Sequence, residues 1–197
     1  MIVKVILCDI NPRVVEAWRT TFEENPEVEI IHGSILDVPA NAIVSPTNSK
    51  GSMDGGLDAV IKKTFGQQIE RNLQTLIRAR YGNFLPVGHA TCIPTGRDQP
   101  AWLISTPTMN QSSEDISETY NVALACAAAF QAVHMQNAIL PGSIRIVALP
   151  GLGAATGRVP VEVCADLMWT GYNLFREREF RTFEEMREAL RAELDID

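Results

Sequence analysis

Positive charge is in short supply in this chain. Against 24 aspartates and glutamates its 197 residues carry 17 lysines and arginines, a formal net charge of −7 and a pI near 5.0. Duplex nucleic acid is held mostly by Lys and Arg neutralising phosphates, so general nucleic-acid binding is not expected. A small anionic ligand is still compatible, because local backbone amides hold phosphate whatever the global charge. Histidine is scarcer still. His32, His89 and His134 have no metal-ligand spacing among themselves or with the cysteines, so core or surface roles are expected, with no metal and no cofactor. Cys8, Cys92, Cys126 and Cys164 include no Cys-x-x-Cys pair and each sits in an apolar stretch, which reads as buried free thiols in a reducing compartment. No run approaches the roughly 20 apolar residues of a membrane span. Residues 1–7 are too short for a signal segment, with Asp9 following at once. A cytoplasmic protein with no membrane partner is expected. Repeats, low-complexity segments and linkers are missing as well, so residues 1–197 are expected to form one domain.

What the chain does have is alternation. Residues 2–10 are rich in Val, Ile and Leu and end at Asp9-Ile10-Asn11-Pro12, a buried strand closed by a helix start with Asn11 as N-cap and Pro12 in the first turn. Val14, Val15, Trp18 and Phe22 recur at helical spacing until Asn25-Pro26. Strands are expected over Val28 to Ile35 and Ala42 to Asn48. Helical spacing returns from Leu57 to Phe65 and, past Gly66, from Ile69 to Ile77, ending at Tyr81-Gly82-Asn83. Strands near 88–95 and 102–109 are joined by the tight turn Gly96-Arg97-Asp98-Gln99-Pro100, which makes them antiparallel neighbours. A helix from about Ile116 to Val133 is apolar on nearly every side and is expected to pack hard against a sheet. Ile144 to Leu149 is the last strand. Helices follow over Val161 to Phe175 and Arg181 to Leu194, the latter capped by Thr182. Trp18, Trp102 and Trp169 are expected as core anchors. The pattern predicts an α/β fold, a three-layer α/β/α sandwich around a mixed, mostly parallel sheet of about six strands.

Two loops stand out. The first, from Ser45 to Asp58, leaves a strand and enters a helix through Met53-Asp54-Gly55-Gly56-Leu57-Asp58. The second, Pro150-Gly151-Leu152-Gly153-Ala154-Ala155-Thr156-Gly157-Arg158-Val159-Pro160, does the same. Glycine lets a backbone bend and present N–H groups at close range, and the helix start behind each loop adds the positive end of its dipole. In open α/β sheets ligands bind at the carboxyl ends of the strands, where both loops are expected. Read alone, Asn48 forms an Asx turn and Asp58 caps a helix, duties common for these residues. Taken together, the loops favour a bridged anion such as a pyrophosphate.

Both loops resemble those of the macro domain family, whose members bind ADP-ribose. Asn48 at a strand end, then Gly55-Gly56-Leu57-Asp58, follow the family's order of Asn, glycine-rich segment and helical Asp; the turn from Pro150 to Pro160 has the expected place and length. Ser105-Thr106-Pro107-Thr108-Met109 adds to the likeness, which runs from about Gly33 to Phe175. The resemblance implies that Met53 to Leu57 and Gly151 to Arg158 clamp the diphosphate, with Asn48 holding the distal ribose and Asp58 in the position of the acidic residue that hydrolytic members use. Departures are legible too. Many members carry an Asp after the glycine of the second strand to bind the adenine amino group, whereas this chain has Gly33-Ser34-Ile35, with Ser34 and Asp9 as substitutes. Met53-Asp54 stands where richer glycine occurs, and Ala154-Ala155 replaces Thr-Gly or Ser-Gly.

The resemblance implies two functions: hydrolysis of an ADP-ribosyl or O-acyl-ADP-ribose ester with Asn48 and Asp58 as catalytic candidates, or an ADP-ribose-binding module without chemistry. The partner in either case is ADP-ribose or an ADP-ribosylated substrate, and the oligomeric state stays open. The start of the chain also resembles part of a methyltransferase, but no glycine-rich turn precedes Asp9, which ranks that reading last.

Overall fold

The Val, Ile and Leu runs pair into one sheet. In chain order the elements are β1 (Lys4–Asp9), α1 (Pro12–Thr21), β2 (Val28–His32), a 3-10 turn (Ile35–Asp37), β3 (Ala42–Ser45), α2 (Gly56–Phe65), α3 (Gln68–Tyr81), β4 (Thr91–Pro94), β5 (Trp102–Ser105), α4 (Asn121–Ile139), β6 (Ile146–Leu149), α5 (Val161–Glu177) and α6 (Phe183–Glu193). The computed structural model describes residues 2–195. Its six described strands are ordered β2-β1-β6-β3-β5-β4. All pairings are parallel except β4 against β5 across the Gly96 to Pro100 turn.

Helices cover both faces, so the central strands are apolar on both sides, as parallel strands must be. In β1, Val5 and Leu7 pack under α1, α4 and α5, while Ile6 and Cys8 pack under α2 and α3. β3 and β6 alternate in the same way, Val44 and Val147 against Ile43 and Ala148. The long α4 is apolar all round because it is wedged between sheet, α5 and α6, with Val122 to Val133 almost wholly buried. It is long and apolar enough to cross a membrane by composition, but its burial marks it as a core helix. Gly171 of α5 meets α4 so closely that a Cβ there would lie 2.8 Å from the Ala123 carbonyl oxygen.

The expected caps form: Asn11 accepts from the Arg13 N–H at 3.0 Å and Thr182 from the Glu185 N–H at 3.2 Å. Several bounds move. β3 stops at Ser45 rather than Asn48, because Pro46 and the turn organised by Asn48 interrupt the ladder, leaving a single bridge from Asn48 to Met109. β2 stops at His32, and Ser34 caps the 3-10 turn by accepting from the Leu36 N–H at 3.2 Å. α4 begins at Asn121 rather than Ile116, whose N–H is drawn to the Gly157 carbonyl at 3.1 Å. Trp18 is a core anchor, but Trp169 is 39% exposed and instead donates its indole N–H to Asn25.

Candidate ligand pocket

A cavity of about 690 Å³ opens where β1, β2, β3, β5 and β6 end. Its walls come from the two glycine loops, the β1 and β2 ends, and the segment after β5. Of the residues expected there, Ser34, Ile35, Asn48, Asp54, Gly55, Gly56, Leu57, Asp58, Pro150, Gly151, Gly153, Ala155, Thr156 and Gly157 line it. Four do not. Met53 and Leu152 are fully buried in the two hydrophobic clusters, Ala154 packs against the core, and Arg158 is exposed and paired with Asp115 at 3.2 Å. Apolar side chains in glycine loops anchor the loop from behind, which explains Met53 and Leu152.

The first loop is organised by Asn48. Its Oδ1 accepts from the N–H groups of Lys50 at 3.0 Å and Ser52 at 3.3 Å, and its Nδ2 donates to the Ser52 carbonyl and, at 3.0 Å, to Ser112 Oγ. This is the Asx-turn duty, carried out on the cavity wall. Beyond it, Glu70 Oε1 accepts from the Met53 N–H at 2.7 Å, and Lys62 Nζ bridges Asp54 at 2.6 Å and Glu70 at 3.2 Å. The Asp54 hydrogen bond above all, with Glu70, holds the Lys62 ammonium above its ordinary pKa. Gly55 caps α2 with no side-chain hydrogen bond. The amides of residues 54–58 donate to no acceptor among the described residues.

The second loop has the same property. The Gly151 N–H donates to Asp9 Oδ2 at 2.9 Å, and Arg158 and Val159 donate to the carbonyls of Ala155 and Gly153. The amides of residues 152–157 between them have no described acceptor. Gly153 sits at φ +77°, where an L side chain is strained. At Gly157 a Cβ would come within 2.7 Å of the Gly153 oxygen and of Ile116. Asp9, weighed as a substitute reader of adenine, lines the cavity and joins the second loop to the start of α1, its Oδ1 accepting from the Asn11 N–H at 2.8 Å and its Oδ2 from the Gly151 N–H at 2.9 Å.

Asp58 does not cap α2. It lies in the first turn, 9% exposed, and Ser45 Oγ at the end of β3 donates to its Oδ1. Oδ2 has no partner among the described residues, and Asp58 borders the cavity. Burial pushes the carboxyl up to about 6, and Glu70 adds to this; the Ser45 hydrogen bond and Lys62 act the other way. Cys8, also on the wall, is pushed up to about 11 by burial and by Asp9 and Asp37, so it stays a thiol at neutral pH.

Residues absent from the expected site complete the walls: Cys8, Ile10, Leu36 and Val60 at apolar stretches, and Pro46, Ser52, Thr108, Met109, Ser112 and Ser113 beside Asn48. Thr108 and Met109 lay in a segment already singled out by resemblance, but Ser112 and Ser113 carried no motif. The Asn48 to Ser112 hydrogen bond spans 64 residues of sequence.

A family model described as Macro domain matches residues 44–168, from β3 through both loops into α5. The chain belongs to the macro domain family. An uncharacterized protein of Aquifex aeolicus is 35% identical to it over 142 residues, 72% of this chain and 78% of that protein. A macro domain-containing protein of Streptomyces griseus is 33% identical over 82 residues, 42% of this chain and 46% of that protein. Among solved structures, the macrodomain of Mycobacterium tuberculosis DarG superposes with a TM-score of 0.60 at 19% identity, over 75% of this chain and 90% of that one. A mutant of the Oceanobacillus iheyensis macrodomain solved with ADPR gives 0.59 at 16% identity, over 83% and 91%. At such identities the likeness speaks for the fold, and the six-stranded mixed sheet of this macro domain is that fold.

Proposed function

We propose that this macro domain binds ADP-ribose or an ADP-ribose derivative in the 690 Å³ cavity. The observation that carries the reading is the pair of amide rows, residues 54–58 and 152–157, unpartnered among the described residues, in two loops that both line one pocket. The first row opens α2 and adds the positive end of that helix's dipole, while the second lies in the loop that leads through Pro160 into α5. A diphosphate supplies acceptors on both sides and matches both rows at once. The apolar wall of Ile10, Ile35 and Leu36 suits a flat base, and the polar wall of Asn48, Ser52, Ser112 and Asp58 suits a ribose. The solved Oceanobacillus iheyensis macrodomain with ADPR supports the same ligand by family.

Asp58 favours hydrolysis as a second step. With one oxygen held by Ser45, the other unpartnered among the described residues and the residue on the cavity wall, its ionisation near pH 6 suits a general base. Asp58 Oδ2 takes a proton from water, the water oxygen bonds to C1 of the distal ribose, and the glycosidic C–O bond breaks, releasing the carboxylate of an ADP-ribosylated protein. Asn48 orients loop and ribose without carrying a proton. The test is calorimetry with ADP-ribose, then incubation with protein ADP-ribosylated on acidic residues. Micromolar binding and release of ADP-ribose are expected; no binding at about 1 mM ligand overturns the binding reading. Asp58→Asn is expected to keep ADP-ribose affinity and to lower turnover at least about a hundredfold, the scale of a lost general base. Unchanged turnover removes Asp58 from the chemistry.

A further inference from the structure

Serine is an unusual choice at position 45. The strand period places Ile43 of β3 and its register partner Leu103 of β5 in the apolar cluster beneath α2 and α3. Two residues on, the same face carries Ser45 and Ser105, both 0% exposed. A buried hydroxyl costs free energy unless it is hydrogen-bonded. Ser105 meets Thr47 at 2.6 Å. Ser45 spends its proton on Asp58.

From this geometry we infer that Ser45 is a positioning residue, which fixes the rotamer of Asp58 through Oδ1 and leaves Oδ2 for the cavity. The inference rests on the hydrolytic reading for its kinetic consequence only; the hydrogen bond and its effect on ionisation stand apart from it. The charged groups around Asp58 are Lys62 on α2 and Glu70 on α3, with Asp54 of the first loop bound to the same Lys62. Lys62 is shared by Asp54 and Glu70, and no cation makes a direct ion pair with Asp58 among the described residues. Among the described residues the Ser45 hydroxyl is therefore the one direct donor to its carboxyl. It favours the charged form, opposing the burial that dominates the carboxyl. Ala at position 45 removes the donor and leaves Oδ1 without a partner. Thr keeps the hydroxyl.

The deciding measurement is a carbon-detected NMR titration of the Asp58 carboxyl in the wild-type chain, Ser45→Ala and Ser45→Thr, with Asp58→Asn identifying the resonance. In Ser45→Ala the midpoint is expected to rise by about one pH unit or more, the size of a hydrogen bond to a charged group. In Ser45→Thr it stays within a few tenths. A midpoint in Ser45→Ala that stays put or falls overturns the inference. Should Ser45→Ala fail to fold, Ser45→Cys, a weaker donor of similar size, is expected to raise the midpoint by a smaller amount, and no rise there overturns the inference equally. In steady-state kinetics Ser45→Ala is expected to lower kcat most at pH 6.5 and to recover toward pH 9, with KM and ADP-ribose Kd unchanged. A raised KM or weakened ADP-ribose binding with unaltered kcat contradicts positioning. Absence of turnover in the wild-type chain removes the hydrolytic reading, while the titration still decides the role of Ser45.

Discussion

Asp58 carries an energetic cost. Its carboxyl is raised from 3.8 to about 6 in the folded chain, chiefly by burial, and it is nearly inaccessible to solvent. Between those values the folded state holds a proton that the unfolded state has released, so stability is fully present below pH 3.8 and declines as pH rises through 6. The decline amounts to about 3 kcal/mol at its largest. Asp58→Asn, which keeps the shape and a partner for Ser45, is expected to be more stable than wild type at pH 8. The gain should shrink below pH 6 and vanish near pH 4; denaturant unfolding at those three pH values measures it. A variant less stable than wild type at pH 8 contradicts the account. The sequence carried Asp58 to the site by motif, yet its spacing equally suited a helix cap. Only the placement of Ser45 opposite it, 13 residues away on another element, distinguishes a buried carboxylate from a cap.

At the scale of elements, the second loop is a closed turn whose carbonyls hold Arg158, Val159 and Ile116, while the amides of residues 152–157 find no acceptor among the described residues. Gly157 is the residue that permits this closure. Gly157→Ala drives a methyl against the Gly153 oxygen and Ile116, displacing the loop and the segment before α4 together. A stability loss of about 1–3 kcal/mol is expected, along with a fall of at least roughly tenfold in ADP-ribose affinity if the amide row binds the diphosphate. Thermal unfolding and calorimetry on one sample separate the two effects; affinity unchanged in the folded variant removes this loop from the site. Apolar alternation and glycine spacing made both loops legible as strand-to-helix turns. They did not show which side chains face outward. Met53 and Leu152 read as ligand-binding loop residues and serve as core, and Arg158 reads as the end of the diphosphate clamp but reaches Asp115.

For the whole molecule, four helices on one face of the sheet and two on the other hold the strand ends in register. The site depends on that register, because its walls come from five strand ends and from segments as far apart as Cys8 and Gly157. A close helix contact, Gly171 against the α4 backbone, lies outside the cavity lining. Gly171→Val is expected to separate α4 from α5 and to cost about 3 kcal/mol, near the upper end for overpacking. The folded fraction should keep its ADP-ribose affinity within about twofold, since additivity holds for distant sites. A Tm decrease with unchanged Kd is the expected result, and a matching loss of affinity ties the site to the α4–α5 contact.

The amino-acid sequence by itself determined the layers, the element order and the two loops, because hydrophobic period, caps and glycine positions are local and survive without neighbours. It also determined the family, through motifs contiguous in the chain. Tertiary structure decided what the loops contain. Asn48 meeting Ser112, Asp9 holding Gly151, and Ser45 donating to Asp58 join residues whose proximity follows from strand order, not from spacing. Strand order is set by how six strands and their covering helices jointly bury both faces of a sheet, and no segment encodes that alone.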